Sequence, residues 1–435
     1  MLKRLLRPHG MIVTALTALL IALLNTIPLN LHFLDPFNEA NQDYEITDIF
    51  YTQFNPDKDV LEDRIMVINS GKPDRAQIAR LISRLDSAQA AVIGVDFLFE
   101  ERLGTSADTL LQESLKQAEH LVLAVELMHD PAAPDTYLET LSVDTFFSNH
   151  AQLGFINFPG DEYRTKRWFQ PSATFGDQSI DAFATEIAHQ YAPDKANILL
   201  DRQDGLEEIH FLGNRDNFFR FNIDQVLDYM PFEEVKAKFE GKIVLLGYAV
   251  EDATSFDSEE EWLNPLIDRH YSPLNKTYTG KSLPDMFGVI LHANVLRMVL
   301  NEEYIQLMPN WLKRLINILF CYFNVLIIYW IYHKFHDAFH GVTRILQIGE
   351  AILIFFVMAW LFNFFRIKLQ MGWGILALLL AYDVIEFYES WMRERWPVLN
   401  KIPDHFHFSR SRVSNQSVNS SQTSLVDNSL SGDAG

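Results

Sequence analysis

The stretch "DRIMVINSGKPDRAQIARLISRLDSAQAAVIGVDFLF", residues 63–99, decides the fold. "DRIMVINS" (63–70) is a short, mostly apolar run and reads as a strand. "DRAQIARLISRLDSAQ" (74–89) repeats its apolar residues at helical period, and "AAVIGVDFLF" (90–99) is a buried strand. A strand, a helix and a strand in this order form a βαβ unit, which commits both strands to a parallel sheet with a right-handed crossover.

The same grammar extends outward. "HLVLAVEL" (120–127) and "KIVLLGYA" (242–249) read as further strands, and "IDAFATEIAHQY" (180–191) and "DMFGVILHANVLRMVLN" (285–301) as helices. The strands are apolar without alternation, which requires cover on both faces of the sheet. The expected fold is α/β, a three-layer domain around a largely parallel sheet.

The chain has 435 residues, a net charge of −21 and 48% hydrophobic residues, so acidic and apolar residues must be segregated along it. Such a charge argues against nucleic acid as a partner, because phosphate backbones require a basic surface. The only cysteine, Cys321, permits neither an intramolecular disulfide nor a cysteine-ligated zinc site.

The apolar residues concentrate in four segments. Residues 11–31 carry no charge and match the ~30 Å hydrocarbon core. Lys3, Arg4 and Arg7 precede them and place residues 1–10 in the cytoplasm. Segments 311–332, 345–365 and 370–388 follow, giving four expected transmembrane helices and leaving both termini cytoplasmic. Residues 36–310 then form one extracytoplasmic domain, and residues 389–435 a cytoplasmic tail. After about residue 403 this tail is serine-rich and too polar to fold alone.

In an open parallel sheet, ligands sit beyond the carboxyl ends of the strands. Asp96 and Glu100 lie there, and Glu251, Asp252 and Asp257 follow another strand end. These carboxylates could hold a ligand or a hard cation such as Ca²⁺ or Mg²⁺, or could be a turn cap among solvated acids. His333, His336 and His340 fall near helical spacing and could ligate a transition metal, or could be an interfacial helix end. Glu350, Asp383 and Glu386 in the apolar segments are expected to pair with cations such as Arg344. No nucleophile elbow, phosphate loop, dinucleotide turn or zincin helix occurs, so the chain is not expected to be an enzyme and no resident cofactor is implied.

Four stretches, in order, resemble the type-2 CHASE domain, an extracytoplasmic sensory module of bacterial membrane receptors. They are "AAVIGVDFLFEE" (90–101), "LGFINFPGDEYRTKRWF" (153–169), "HFLGNRDNFFRFNIDQVLD" (210–228) with "FEGKIVLLGYAVEDATSFD" (239–257), and "LPDMFGVILHANVLRMVL" (283–300). The matching positions include Gly94, Asn157, Arg164, Gly247, Gly288, His292 and Asn294. Two features depart from the pattern. Glu162 and Tyr163 stand where an aspartate–glycine pair is usual, and an acidic insertion runs from Gly247 to Pro284.

Family members commonly carry a cytoplasmic cyclase or kinase domain, for which the residues after 388 leave no room. The resemblance therefore implies a bacterial inner-membrane sensor that signals through a separate protein partner, as a homodimer or a hetero-complex. Two other readings stand beside it: a scaffold subunit without a small-molecule ligand, and an extracytoplasmic hydrolase built on Asp96.

Overall fold

In the computed structural model, the described residues are 8–26, 45–130, 133–160, 164–175, 178–202, 205–249, 268–275, 284–334 and 339–402. The chain divides into two compact units. One contains residues 28–315 and 348–371, and the other residues 1–27, 316–347 and 372–435.

The first unit is built on the βαβ segment. β1 (Glu62–Asn69) leads into α3 (Arg75–Ser87) and β2 (Val92–Val95); helices α1 (Pro8–Thr26) and α2 (Ile46–Gln53) precede it. Asp74 opens α3 with a capping box. Its carboxylate accepts from the Gln77 backbone N–H at 2.7 Å, while the Gln77 side chain accepts from the Asp74 N–H at 2.9 Å. Ile78, Leu81, Ile82 and Leu85 then form the buried stripe of α3, each worth roughly 1.5–3 kcal/mol of burial.

Four more strands complete the sheet: β3 (Leu121–Val125), β4 (Gln152–Phe155), β5 (Phe218–Asn222) and β6 (Ile243–Gly247). The spatial order is β5-β1-β6-β2-β3-β4, and every neighbouring pair is parallel. On one face, α3, α4 (Ser106–Gln117) and α7 (Phe232–Phe239) pack on Ile68, Ile93, Val95, Leu123, Val244 and Leu246. Two further helices, α5 (Phe183–Tyr191) and α6 (Pro193–Asp201), precede β5. After β6 come β7 (Arg269–His270), β8 (Met286–Phe287) and α8 (Gly288–Asn301). Helices α5 and α8 lie on the opposite face of the sheet from α3. Two glycines on that face allow close approach: a Cβ on Gly94 would lie 2.6 Å from Ile187 in α5, and one on Gly247 2.8 Å from Val289 in α8. The expected three-layer α/β sandwich is present.

The membrane expectation needs correction. Two helices among the described residues are long and apolar enough to cross a bilayer, not four. They are the apolar spans Asn310–Tyr332 and His340–Phe365, within α9 (Asn310–Lys334) and α10 (Phe339–Phe365). The first expected span is the shorter α1, whose apolar part runs over Pro8–Leu23. The fourth is α11 (Gly372–Phe387), 16 α-helical residues that pass into a π-helical turn over Tyr388–Met392. In the second unit, Val13, Cys321, Val325, Ile328, Ala377, Ala381 and Ile385 form the core between α1, α9 and α11. There Arg344 lies 3.6 Å from Asp383, the pairing that the charged residues of the apolar segments call for.

Candidate recognition site at the carboxyl edge of the sheet

β2 and β6 run side by side, and the Asp96 N–H donates to the Leu246 carbonyl at 2.8 Å, extending their ladder one residue beyond β2. Strand alternation puts the Asp96 side chain on the face of Gly94, toward α5 and α8. Gly247, at the end of β6, packs without a side chain against Val289 of α8. A Cβ there would come within 3.4 Å of the Asp96 Cβ. Asp96 therefore lies at the carboxyl edge, next to the first turn of α8.

Asp268 approaches the same edge from the strand pair β7 and β8, which is antiparallel and joins Arg269 to Phe287 and His270 to Met286; its side chain is about half exposed. Its carboxylate lies over Gly288, where a Cβ would strike it, and the Gly288 N–H donates to the Asp268 main-chain carbonyl at 3.4 Å. Negative charge is favourable at this position because the first N–H groups of a helix are unpaired and carry partial positive charge. His270 Nε2 lies 2.7 Å from Asp268 Oδ1. Asp268 and His270 are two residues apart on an extended segment, so both side chains point to the same side.

His292 stands one turn into α8, four residues after Gly288. It is 4% exposed, with its ring 4.9 Å from Phe158 and 5.1 Å from Phe183. Its imidazole makes no hydrogen bond with any described residue. Burial pushes its pKa down to about 4, although the nearby Asp268 charge works the other way. The Asp96 carboxyl likewise makes no hydrogen bond with any described residue. Its pKa is held well above the ordinary carboxylate value by burial and then by the charge of Asp268. Desolvation also works against charge on Asp268, but His270, His292 and the Gly288 N–H hold it below its usual value. The two carboxyls are thus pushed in opposite directions, Asp96 toward its neutral form and Asp268 toward its charged form.

A family model, the CHASE2 domain, matches residues 12–328, more than two thirds of the chain. The chain belongs to the CHASE2 family. CHASE2 domains are extracytoplasmic sensory domains, so the match assigns the α/β unit a sensor role. No curated protein and no solved structure matches the chain.

Within this CHASE2 domain, the expected site residues separate into groups. Asp96, Gly247, Gly288 and His292 come together at the sheet edge, with Gly94 below them. Asn157 is a structural clamp: its side-chain amide exchanges hydrogen bonds with the Leu127 N–H (2.8 Å) and carbonyl (3.0 Å). Asn294 does the same for the 212–213 turn, accepting from the Leu212 N–H at 2.9 Å and donating to the Gly213 carbonyl at 3.0 Å. Arg164 and Glu100 are exposed. Glu251, Asp252, Asp257 and His336 lie outside the described residues. His333 falls on α9, and His340 Nδ1 is engaged by the Tyr382 hydroxyl. No group of three metal-ligating side chains is arranged around a cation position among the described residues.

Asp268, His270 and Phe158 are site residues that the sequence reading missed. The Asp-x-His spacing within the acidic insertion was the available signal.

A second polar cluster surrounds the segment between α10 and α11. β9 (Gln306–Leu307) pairs in parallel with β10 (Ile367–Lys368). Lys368, 5% exposed, places Nζ 2.5 Å from Glu45 and 2.6 Å from Glu208, which is itself 3% exposed. Arg167 pairs with Asp48 at 2.5 Å beside them. Arg366 reaches Glu303 at 2.6 Å, and Glu303 also pairs with Arg297 near the last turn of α8. Phe50 and Tyr51 of α2 pack on Phe362 of α10 at 5.7 and 5.2 Å.

Proposed function

We propose that this chain is the sensory subunit of a bacterial inner-membrane receptor. Its CHASE2 domain lies outside the membrane and recognises a ligand at the carboxyl edge of its sheet. The signal passes through the apolar helices to a separate protein that carries the output. The chain itself performs no catalysis. Its N-terminus and serine-rich segment are cytoplasmic, and the latter is the contact for the partner.

One observation carries this reading: Lys368, which comes from the short segment between α10 and α11, is buried in the α/β unit between Glu45 and Glu208. A buried charge of this kind is held by its partners, and removing one partner typically costs 3–5 kcal/mol. Any ligand that shifts the sensory domain between two packings therefore acts on a segment joined directly to an apolar helix. Helix α8 starts at the recognition site and ends beside the Arg297–Glu303 pair, and is the candidate connecting element.

The test is purification of the tagged full chain from its native membranes after brief crosslinking. A stoichiometric partner bearing an enzymatic output domain is expected, and Lys368→Met should change that partner's activity. Recovery of the chain alone, or a partner whose activity ignores Lys368→Met, would leave the scaffold reading in its place.

A further inference from the structure

We infer that α2 is a lipid-contacting helix, seated beside α10 at the hydrocarbon–headgroup boundary of the extracytoplasmic leaflet, and that the α/β unit binds the bilayer through Ile46, Ile49 and Phe54. The inference rests on α10 crossing the membrane, as the receptor reading requires, and adds a contact which that reading does not contain.

The packing of α2 on α10 fixes the depth. Phe50 stands 5.5 Å from Phe355 and 5.7 Å from Phe362, and Phe54 stands 5.9 Å from Phe355 and 6.0 Å from Phe356. Glu45, at the other end of α2, meets Lys368 beyond the end of α10. The two helices are therefore antiparallel, and Phe54 is the end that reaches toward the middle of the span. The apolar span His340–Phe365 has 26 residues and is about 39 Å long at 1.5 Å per residue. It exceeds the ~30 Å hydrocarbon core by about 9 Å. Phe355 lies about 15 Å along the helix before Phe365. Even with all of the excess placed outside the membrane, Phe355 and the Phe54 ring against it fall inside the boundary.

The surface of α2 suits that place. Its buried side carries Thr47, Asp48, Phe50 and Tyr51. On the other side Ile46, Gln53 and Phe54 are exposed, Ile49 and Thr52 are half-buried, and none is charged. A helix facing water puts charged and polar residues there, whereas one that is apolar on both sides needs apolar cover. Phe54 touches Phe356, which is itself exposed and opens the row Phe356, Trp360 and Phe364 on α10. The exposed side of α2 thus continues the lipid-facing row of a membrane helix, which makes lipid its occupant. The backbone obeys the same demand. The Phe54 carbonyl at the end of α2 accepts from Asn363 Nδ2 at 2.8 Å, so a helix-end group that acyl chains could not satisfy has a partner. Asp57, Lys58 and Asp59 follow directly and hold the contact at the boundary rather than deeper.

The test is nitroxide labelling of the full chain in vesicles of phosphatidylethanolamine and phosphatidylglycerol, in a Cys321→Ser background that leaves no other cysteine. Labels enter through Phe54→Cys, Ile46→Cys, Ile352→Cys on the exposed side of α10, and Tyr229→Cys on the exposed surface of the α/β unit. Oxygen partitions into acyl chains and a nickel chelate stays in water, so their collision rates with each label report its depth. The Phe54 label is expected to be at least tenfold better protected from the chelate than the Tyr229 label while staying open to oxygen, with the Ile46 label between them. Ile49→Cys supplies a second position if Phe54→Cys does not fold. A label on this side of α2 as open to the chelate as Tyr229 overturns the inference. So does one shielded from both reagents, which means that protein covers the helix. If the Ile352 label is shielded from the chelate in either case, the receptor reading stands without this contact. An Ile352 label open to the chelate removes α10 from the membrane and overturns both.

Discussion

The two polar clusters of the α/β unit follow opposite rules. Around Lys368, the lysine and Glu208 are buried, Lys368 Nζ lies 2.5–2.6 Å from Glu45 and Glu208, and Arg167 pairs with Asp48 beside them. At the carboxyl edge of the sheet, His292 is buried, Asp96 is half-buried, and the exposed Asp268 pairs with His270. A cluster whose charges are paired in the interior holds its segments in one arrangement. A cluster partly open to water keeps polar groups within reach of a ligand. The first is built to hold, and the second is the candidate for recognition.

The largest effect is expected where the pairing is tightest. Lys368→Met leaves Glu208 and Glu45 without their cation and should lower stability by about 3–5 kcal/mol, read from chemical or thermal unfolding of the full chain. An unchanged midpoint would show that the lysine is carried rather than required.

A smaller loss is expected from acid at the sheet edge. The His292 pKa is near 4 in the fold against 6.5 unfolded, so the unfolded chain takes up protons between those values and the fold resists them. Its contribution is complete above pH 6.5 and is lost as pH falls toward 4, up to about 3 kcal/mol. His292→Phe keeps a ring between Phe158 and Phe183, and should flatten the stability profile across this window. A variant with the same acid slope as the parent would assign that slope elsewhere.

Gly247→Ala brings a methyl to 2.8 Å from the Val289 Cβ and should cost about 1–3 kcal/mol by pushing α8 off the sheet. The smallest effect is expected at Asp96. Asp96→Asn removes a carboxyl that makes no hydrogen bond with a described residue, and stability should stay the same or rise slightly. A loss as large as that of Lys368→Met would abolish the contrast between the two clusters.

The parts of the molecule that came through in the sequence are those governed by local pattern. The apolar runs at 65–68, 92–95, 121–125 and 243–247 and the amphipathic stripe of α3 are enough to specify a covered parallel sheet. Because ligands gather at the carboxyl ends of such sheets, the position of Asp96 followed from its strand alone. Gly247, Gly288 and His292 were recovered through the resemblance, which did not say what they do. Gly247 and Gly288 keep space for a neighbouring backbone or carboxylate, a role defined by the partner element.

Asp268 and His270 were missed because they close a long acidic stretch, in which one more aspartate carries no signal. The Lys368 cluster was missed for a deeper reason. Residues 45, 48, 167, 208 and 368 have no common period or motif, and their pairing arises only when distant segments meet. The number of membrane helices was overstated because hydropathy measures composition, whereas among the described residues only α9 and α10 join that composition to sufficient helical length.

The account rests on the α/β unit and the segment between α10 and α11 forming one energetic body. A double-mutant cycle with Lys368→Met and Glu208→Gln tests this most directly, read as unfolding free energy of the full chain. The two losses are expected to be strongly non-additive, with the double variant more stable than Lys368→Met alone, because neutralising Glu208 removes the charge that the lysine leaves behind. Losses that simply add would show that the two residues do not hold each other, and would contradict the account.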